Sequence, residues 1–502
     1  MYPCQAMDVN ELIKLLDNKD KQLSEVLKQS SAQQEELKQL RILIENLQTR
    51  IDNLLRMLYG KKSEKRRNAS DDQSPDTKGT DTSNTKNVGT QPVRKKLPAN
   101  LPRTDISYEL TPAELICNLC NSTCHKIGEE ISEQLEVIPA KFFVKKHIRF
   151  KYACKYGCCV KVAPMPKQPI PKGIPGPGLL AEVVVNKYQD SLPLYRQAKR
   201  FERYGVEIAE STLGDWTSQS AQLLKPLIDL MRDDMLKESH LYGDDTTVPV
   251  LASGKTKTGR LWAYVSDKNN TFPCTIYDYS PTRAQTWPQK FLSGFKGFLQ
   301  ADAYHGFNII YKSGDVTEIG CMAHTRRKFY DITVELKSTD SLAHQALDLI
   351  DIIYDVEDKC RNMHYTLRYY FRKKYLRKLY RKLHRWLVRK QKIIIPKTPT
   401  SRAINYALNH WRALQNVFAD GRLEIDNNTA ERAMRIVAIG RKNWMFAGSD
   451  QGGHNAAIFY SLLESAKQNG LNTFEYLSDL FAKIPNTPSE ELFRLLPYHY
   501  KK

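Results

Sequence analysis

Apolar residues alternate at spacings of three and four from Leu12 to Leu58. One seam carries Leu16, Leu23, Ser30, Leu37, Ile44, Ile51 and Leu58, and the other Leu12, Lys19, Val26, Gln33, Leu40, Leu47 and Leu54. No proline or glycine interrupts the stretch, and Glu, Lys, Gln and Arg fill the outer positions. Residues 1–59 therefore read as a leucine-zipper-like coiled coil that oligomerises the chain. Lys19, Ser30 and Gln33 weaken the first half of the seam and are candidates for fixing its register. A single helix packed back on the body fits the same periodicity. Tyr59-Gly60 ends the pattern, and a basic knot of Lys61, Lys62, Lys65, Arg66 and Arg67 follows. From Asn68 to Val93 almost nothing is apolar, so residues 60–105 read as a basic, disordered linker.

Apolar alternation returns at Leu135, Val137, Phe142, Val144, Ile148, Phe150 and Tyr152, which predicts two or three short strands within a module at 106–165. Cysteine pairs flank it: Cys117-Asn118-Leu119-Cys120 before, and Cys154-Lys155-Tyr156-Gly157-Cys158 after. Knuckles of this kind offer two thiolates each to a tetrahedral Zn²⁺, and a metal would supply the stability that so small a core lacks. Cys117, Cys120, Cys154 and Cys158 are the candidate ligands of one structural Zn²⁺. Cys124, His125, His147 and Cys159 lie near enough to substitute.

A Pro- and Gly-rich connector, Pro164 to Pro177, leads into a helical region at 166–235. Helices are predicted at Leu179 to Tyr188 and Pro193 to Arg203, then a Tyr204-Gly205-Val206 turn. The next helix is capped by Ser211 and carries Leu213, Trp216, Leu223 and Leu224 on its apolar side. Helix, glycine turn and helix fit a helix-turn-helix, as they fit an ordinary helical hairpin. Arg196, Lys199, Arg200 and Arg203 favour the DNA-binding reading.

Strand patterns begin at Leu241. The segments Leu241 to Leu251, Leu261 to Val265 and Phe272 to Tyr279 form a meander separated by turn residues. Gly297 to Tyr304 is a buried-type strand ending on an acid, and Val316 to Cys321 is a fifth strand that passes into a helix at Ala323 to Phe329. Three antiparallel strands followed by two strand-and-helix units is the order of an RNase H-like domain. The fold class expected is thus multidomain α/β: an RNase H-like core at 236–455 with a helical insertion, plus coiled coil, zinc module and helix-turn-helix. In such a core, acids from the first and fourth strands meet one from a late helix. Asp244 and Asp302 occupy the first two places.

The third is Glu431. Asp426, Asn427 and Asn428 are turn and N-cap residues, and Asn427 or Asn428 can accept the first free amides of a helix. Ala430, Ala433, Met434 and Val437 then recur at helical spacing, with Arg432 and Arg435 beside Glu431. Glutamate near a helix N-terminus is commonly just a dipole-stabilising surface group. Asp244 and Asp302 upstream are what single this one out. Glu424 and Asp426 read as strand-end and turn residues.

The insertion, 332–400, is helical and basic. Arg368 to Lys392 interleaves Arg and Lys with Tyr, Leu and Trp, nearly all of one charge sign. Like charges at i and i+4 destabilise a plain surface helix, and a phosphate backbone would relieve them. Arg377, Lys378, Arg381 and Lys382 are the candidate DNA contacts here, joined by Arg441 and Lys442 further on. A C-terminal element at 456–502 has a helix at Ala456 to Gly470, a shorter one near Thr473 to Ile484, and a polar tail.

Charge and composition sharpen this. The 502 residues suit about three domains, and 41% hydrophobic content supports real cores. A formal charge of +20 points to a polyanionic partner, and nucleic acid is the usual one. No apolar run approaches the ~18 residues of a membrane span, and no leader begins the chain, so a cytoplasmic, nucleoid-associated protein is expected. Six of the ten cysteines fall between Cys117 and Cys159, which indicates metal before disulfide.

The chain resembles the DDE transposases of the insertion sequence 66 family over nearly its whole length. The resemblance is carried by Leu58-Tyr59-Gly60-Lys61-Lys62-Ser63-Glu64-Lys65, the Cys117/Cys120 knuckle, Leu192-Pro193-Leu194-Tyr195-Arg196-Gln197 and Gly259-Arg260-Leu261-Trp262. Gln300-Ala301-Asp302, Cys321-Met322-Ala323-His324 with Arg326-Arg327-Lys328-Phe329, and Gly421 to Arg435 running into Gly440-Arg441-Lys442-Asn443-Trp444 complete it. It implies catalytic acids at Asp244, Asp302 and Glu431, with Asp245 on a variable acid position. Ala303 stands where the family usually has glycine, a departure expected to cost backbone freedom. The carboxylates would hold two Mg²⁺ or Mn²⁺ ions about 4 Å apart for cleavage and strand transfer. His324 and Arg327 would help near the scissile phosphate, or Cys321 and His324 would simply pack. The implied partners are double-stranded DNA (terminal inverted repeats and target), a second copy of the chain, and accessory proteins of the same element. Rival readings are a zinc and helix-turn-helix DNA-binding regulator, a nuclease that cuts without joining, and a catalytically inactive transposase remnant.

Overall fold

The computed structural model describes Ser122 and residues 141–153, 158–336 and 341–500. The heptad segment, most of the linker-to-zinc region, Cys117, Cys120 and Cys154 lie outside the described residues. The chain divides into one unit at 62–148 and another holding everything from Arg149 onward. In the first, residues 141–148 form neither helix nor strand. The strands expected from Phe142, Val144 and Ile148 are therefore not made there. Among the described residues of the module, β1 (Lys151–Ala153) and β2 (Val160–Val162) pair, antiparallel, with Lys151 opposite Val162.

The helical region follows its apolar spacing. Helix α1 (Pro177–Tyr188) opens on proline and buries Leu180, Val183, Val184 and Tyr188. Helix α2 (Leu194–Glu202) ends in a turn at Gly205, where φ is +77° and a side chain would be strained. Helix α3 (Glu210–Met235) starts with Ala209 at the cap position, so Ser211 lies inside the first turn and does not cap. Leu213, Trp216, Leu224, Leu227, Met231 and Met235 are all buried along it, which makes it a long core helix; Leu223 is only half-buried.

A five-stranded sheet follows: β3 (His240–Ala252), β4 (Lys255–Ser266), β5 (Cys274–Ser280), β6 (Gly297–Ala301) and β7 (Val316–Ile319). Its order is β5-β4-β3-β6-β7. The first three strands are antiparallel neighbours, while β6 runs parallel to both β3 and β7. Helix α4 (Met322–Leu336) leaves β7, and α5 (Leu342–Cys360), α6 (Tyr365–Phe371), α7 (Arg377–Ile393) and α8 (Pro399–Asn409) form the helical block. The block is no detached appendage. Leu376, Tyr380, Leu383 and Leu387 share one core with Ile319 of β7, Phe329 of α4, and Leu423 and Ile425 of the loop that follows.

That loop enters α9 (Asn428–Trp444), and α10 (Asp450–Gln468) and α11 (Thr473–Lys483) complete the chain. Helix α10 runs along the edge strand β5, where Ser461 and Ser465 hydroxyls accept the backbone N–H groups of Tyr277 and Thr275 at 2.8 and 2.9 Å. These bonds satisfy donors that an open sheet edge would leave unpaired. The division at 455/456 falls inside α10. The C-terminal tail packs: Leu492, Leu495 and Leu496 are buried, and the Tyr498 hydroxyl donates to Asp234 at 2.8 Å. Among the described residues no helix is long and apolar enough to cross a membrane.

Candidate active site

The pairing of β3 with β6 ends at Gly243 opposite Ala301. Each strand releases an acid at the next residue, Asp244 on one and Asp302 on the other, so parallel register brings the two carboxylates to one level. The loop before α9 is pinned above them. Gln300 Nε2 donates to the Glu424 carbonyl at 2.9 Å, and the Met322 N–H donates to the Ile425 carbonyl at 2.8 Å. The Asn427 N–H donates to Cys321 Sγ at 3.2 Å, and Asn427 Nδ2 donates to the Gly243 carbonyl at 2.8 Å. Asn427 thus ties the helix start to β3 instead of capping it, and the Asp426 carboxylate accepts the Asn428 N–H at 3.2 Å. Glu431 projects from the first turn of the helix so held. Glu424 is a loop residue, not a strand end, and its carboxylate pairs with Arg368 at 2.8 Å.

Ligand-type atoms of Asp244, Asp245 and Asp302 lie within 4.8 Å of one another, as do those of Cys321, His324 and Glu431. The groups adjoin: the charges of Asp302 and Glu431 both bear on Asp244, and both bear on His324. Glu431 Oε1 lies 3.8 Å from His324 Nδ1, and its Oε2 lies 3.8 Å from Arg327 Nη2. Burial, then the Asp302 carboxylate, push the Asp244 carboxyl up to about 7. Burial and the Asp245 charge raise Asp302 too, while burial lowers His324 despite the nearby Glu431 charge. Glu431 Oε1 and His324 Nδ1 are buried without hydrogen-bond partners among the described residues. Converging carboxylates that raise one another, beside an orphaned carboxylate oxygen, fit a hard divalent cation with oxygen ligands. Cys321 takes no such role: its thiol is buried, pushed up to about 12 by that burial, and accepts the Asn427 amide.

The other predicted residues are scattered. Lys199 is paired with Glu202 at 2.9 Å, and Arg200 with Glu182 of α1 at 3.0 Å; Arg196 and Arg203 are exposed. Arg377, Lys378, Arg381 and Lys382 are all exposed on α7. Arg368 and Arg372 point inward, and both bind the buried carboxylate of Glu357. Arg441 donates to the Thr246 and Thr247 hydroxyls at 3.2 and 3.1 Å, whereas Lys442 is exposed. Cys158 and Cys159 are exposed. Positive φ outside glycine is confined, among the described residues, to Lys172, Ser191, Lys397 and Met445, so Ala303 costs no backbone strain.

Sequence reasoning missed Arg283, Tyr304 and the roles of Asp245 and Arg260. Arg260 lies in a motif already noted, and on β4 it stands two residues from Trp262, itself opposite Asp245, on the same face of the strand. Arg283 carries no local signal at all.

Comparison with known proteins agrees along the chain. A model described as "Transposase IS66 family" matches residues 172–455, the "zinc-finger binding domain of transposase IS66" matches 114–159, and the "IS66 C-terminal element" matches 461–498. A fourth, "Transposase C of IS166 homeodomain", matches 46–106, across the end of the heptads and the polar stretch. Similar chains from Sinorhizobium fredii (strain NBRC 101917 / NGR234) include the uncharacterized protein y4hP, 32% identical over 82% of this chain and 78% of its own length. The uncharacterized protein y4jD is 34% identical over 81% of each chain. A transposase-family match covering more than half the chain, with zinc-finger and C-terminal matches in the same family, places it plainly: the chain belongs to the IS66 family of bacterial insertion-sequence transposases.

Proposed function

We propose that residues 236–455 form an RNase H-like catalytic core in which Asp244, Asp302 and Glu431 hold two Mg²⁺ or Mn²⁺ ions and direct cleavage and joining of DNA. The observation that carries this is the sheet register, in which the parallel β3–β6 pairing stops one residue before an acid on each strand, beside the helix start that bears Glu431. Bound ions would supply activation of the attacking oxygen and stabilisation of the leaving 3′ oxygen. The chain's own residues set up the rest. His324 stands 3.8 Å from one oxygen of Glu431, and Arg327, half-exposed beside the other, faces incoming phosphate. Hydrolysis at the element's end frees a 3′ hydroxyl, which attacks target DNA in the same site by in-line displacement.

The accessory regions serve DNA capture. Cys117, Cys120, Cys154 and Cys158 hold one structural Zn²⁺ within the zinc-finger segment, and the heptads at 12–58 bring two copies together. The exposed cations of α7 lie along duplex DNA. Purified protein with Mg²⁺ and labelled element ends tests the reading by scoring cleavage and strand transfer. Asp244→Ala, Asp302→Ala and Glu431→Ala should each abolish cleavage and leave end binding nearly unchanged. Full cleavage by any one variant removes that residue from the site. Cleavage without joining points to a nuclease, and binding with neither points to a regulator or remnant.

A further inference from the structure

Asp245 follows Asp244 on β3, and only 1% of its side chain is exposed. A buried charge persists only when it is paired and hydrogen-bonded. Asp245 Oδ2 accepts from Arg260 Nη1 at 2.8 Å, and Oδ1 accepts from Arg283 Nη2 and Nε at 2.6 and 3.2 Å. Both oxygens are therefore engaged by guanidinium groups. The two arginines differ. Arg260 is anchored within β4 and is 21% exposed, whereas Arg283 rises from the loop after β5 and is 37% exposed. The Arg283 guanidinium lies over the Tyr304 ring, 3.9 Å from its centroid, and the Tyr304 hydroxyl donates to the Arg283 carbonyl. Its Nη2 stands 3.8 Å from Asp302 Oδ2, beyond a hydrogen bond.

Arg260 already offsets the buried Asp245 charge, so the more exposed Arg283 brings a further positive charge beside Asp302. We propose that Arg283 is a DNA-phosphate ligand at the edge of the acid site, and that Asp245 is the positioning residue that aims it and is not itself a metal ligand. The inference rests on the DNA-cutting reading above. An arginine braced by a buried acid and an aromatic face has little freedom left to lose on binding, and its planar fork suits phosphate. Because the brace is Asp245 and not Asp302, filling the acid site with cations leaves the arginine in place. The oxygens of Asp245 lie close to those of Asp244 and Asp302, yet a third carboxylate ligand would have to give up its arginines.

The test uses the full-length protein and a labelled duplex carrying the inverted repeat that flanks the gene, with binding followed by anisotropy across a salt series in EDTA. Arg283→Ala should weaken binding and lower the slope of log Kd against log salt by about 1. Arg283→Lys should restore the slope. Asp245→Asn should behave like Arg283→Ala, yet bind Mn²⁺ with wild-type affinity by electron paramagnetic resonance, while Asp244→Asn loses Mn²⁺. Should the amide fail to fold, Asp245→Glu takes its place in the Mn²⁺ titration and should also retain the ion. An unchanged salt slope in Arg283→Ala overturns the phosphate contact. Loss of Mn²⁺ in the folded Asp245 variant overturns its positioning role and makes it a ligand. A wild-type protein that binds no end duplex defeats the DNA-cutting reading itself, which is a separate failure.

Discussion

Asp244 is a carboxyl group held against its own charge. Burial and the neighbouring Asp302 carboxylate raise it from an ordinary 3.8 to about 7. Between those values the folded, metal-free chain binds more protons than the unfolded one. Its stability therefore falls as pH rises through that window, by at most about 1.4 kcal/mol per pH unit for each proton. Asp302, also raised, acts in the same direction. A divalent cation needs both groups deprotonated, so its binding releases protons and strengthens with pH. The rise in Tm on adding Mg²⁺ should be larger at about pH 8 than at about pH 6. Asp244→Asn should flatten the difference. Equal shifts at both pH values would show that these acids do not titrate in the window. The raised acids could not be read from the chain, because Asp244 and Asp302 are 58 positions apart and only strand register makes them neighbours.

Elements meet here through buried ion pairs as much as through apolar faces. Glu357 of α5 is fully buried and bonded by Arg368 of α6 and by Arg372, just after it; Arg368 also reaches Glu424 in the loop before α9. Burial works against the Glu357 charge, but the Arg372 and Arg368 contacts outweigh it and hold the carboxyl below its usual range. Glu357→Gln leaves the buried Arg372 guanidinium without its counter-charge and Arg368 with Glu424 alone, and should cost about 3–5 kcal/mol, read from urea unfolding. A loss below about 1 kcal/mol would mean that water, not Glu357, satisfies these arginines. The like charges of Arg368 to Lys392 point to DNA contacts, and Arg377, Lys378, Arg381 and Lys382 do face solvent. The apolar stripe between them was legible, since Leu376, Tyr380, Leu383 and Leu387 do bury. That Arg368 and Arg372 turn inward was not, because their partner Glu357 lies one helix earlier and carries no local mark.

At the scale of the whole molecule, accessory segments and catalytic region answer to different physics. The zinc-finger match spans residues 114–159, too short a segment to hold a sizeable core, so its stability should depend on metal. Metal analysis of Cys117→Ser should show loss of about one equivalent of zinc. Retention of the full complement would move the ligand set to Cys124, His125, His147 or Cys159. The body from Arg149 onward rests instead on packed layers: α10 closes the β5 edge, the tail returns to Asp234, and the helical block shares its core with β7.

The sequence alone determined whatever depends on local period and spacing. Apolar runs bounded by turn residues marked the five strands of the sheet, 3.6-residue spacing marked the longer helices, and turn residues before Ala430 marked the start of the helix that bears Glu431. Asp244 was visible as an acid in the first strand of the meander, and Asp302 as the acid on which a buried-type strand ends. Only the tertiary structure decided which charges meet. Arg283 reaches Asp245 across 38 positions, Arg368 reaches Glu424 across 56, and Asn427 docks on Gly243 across 184. Such contacts depend on which strands and helices lie side by side, and a side chain's partner at that range leaves no periodic trace in the chain.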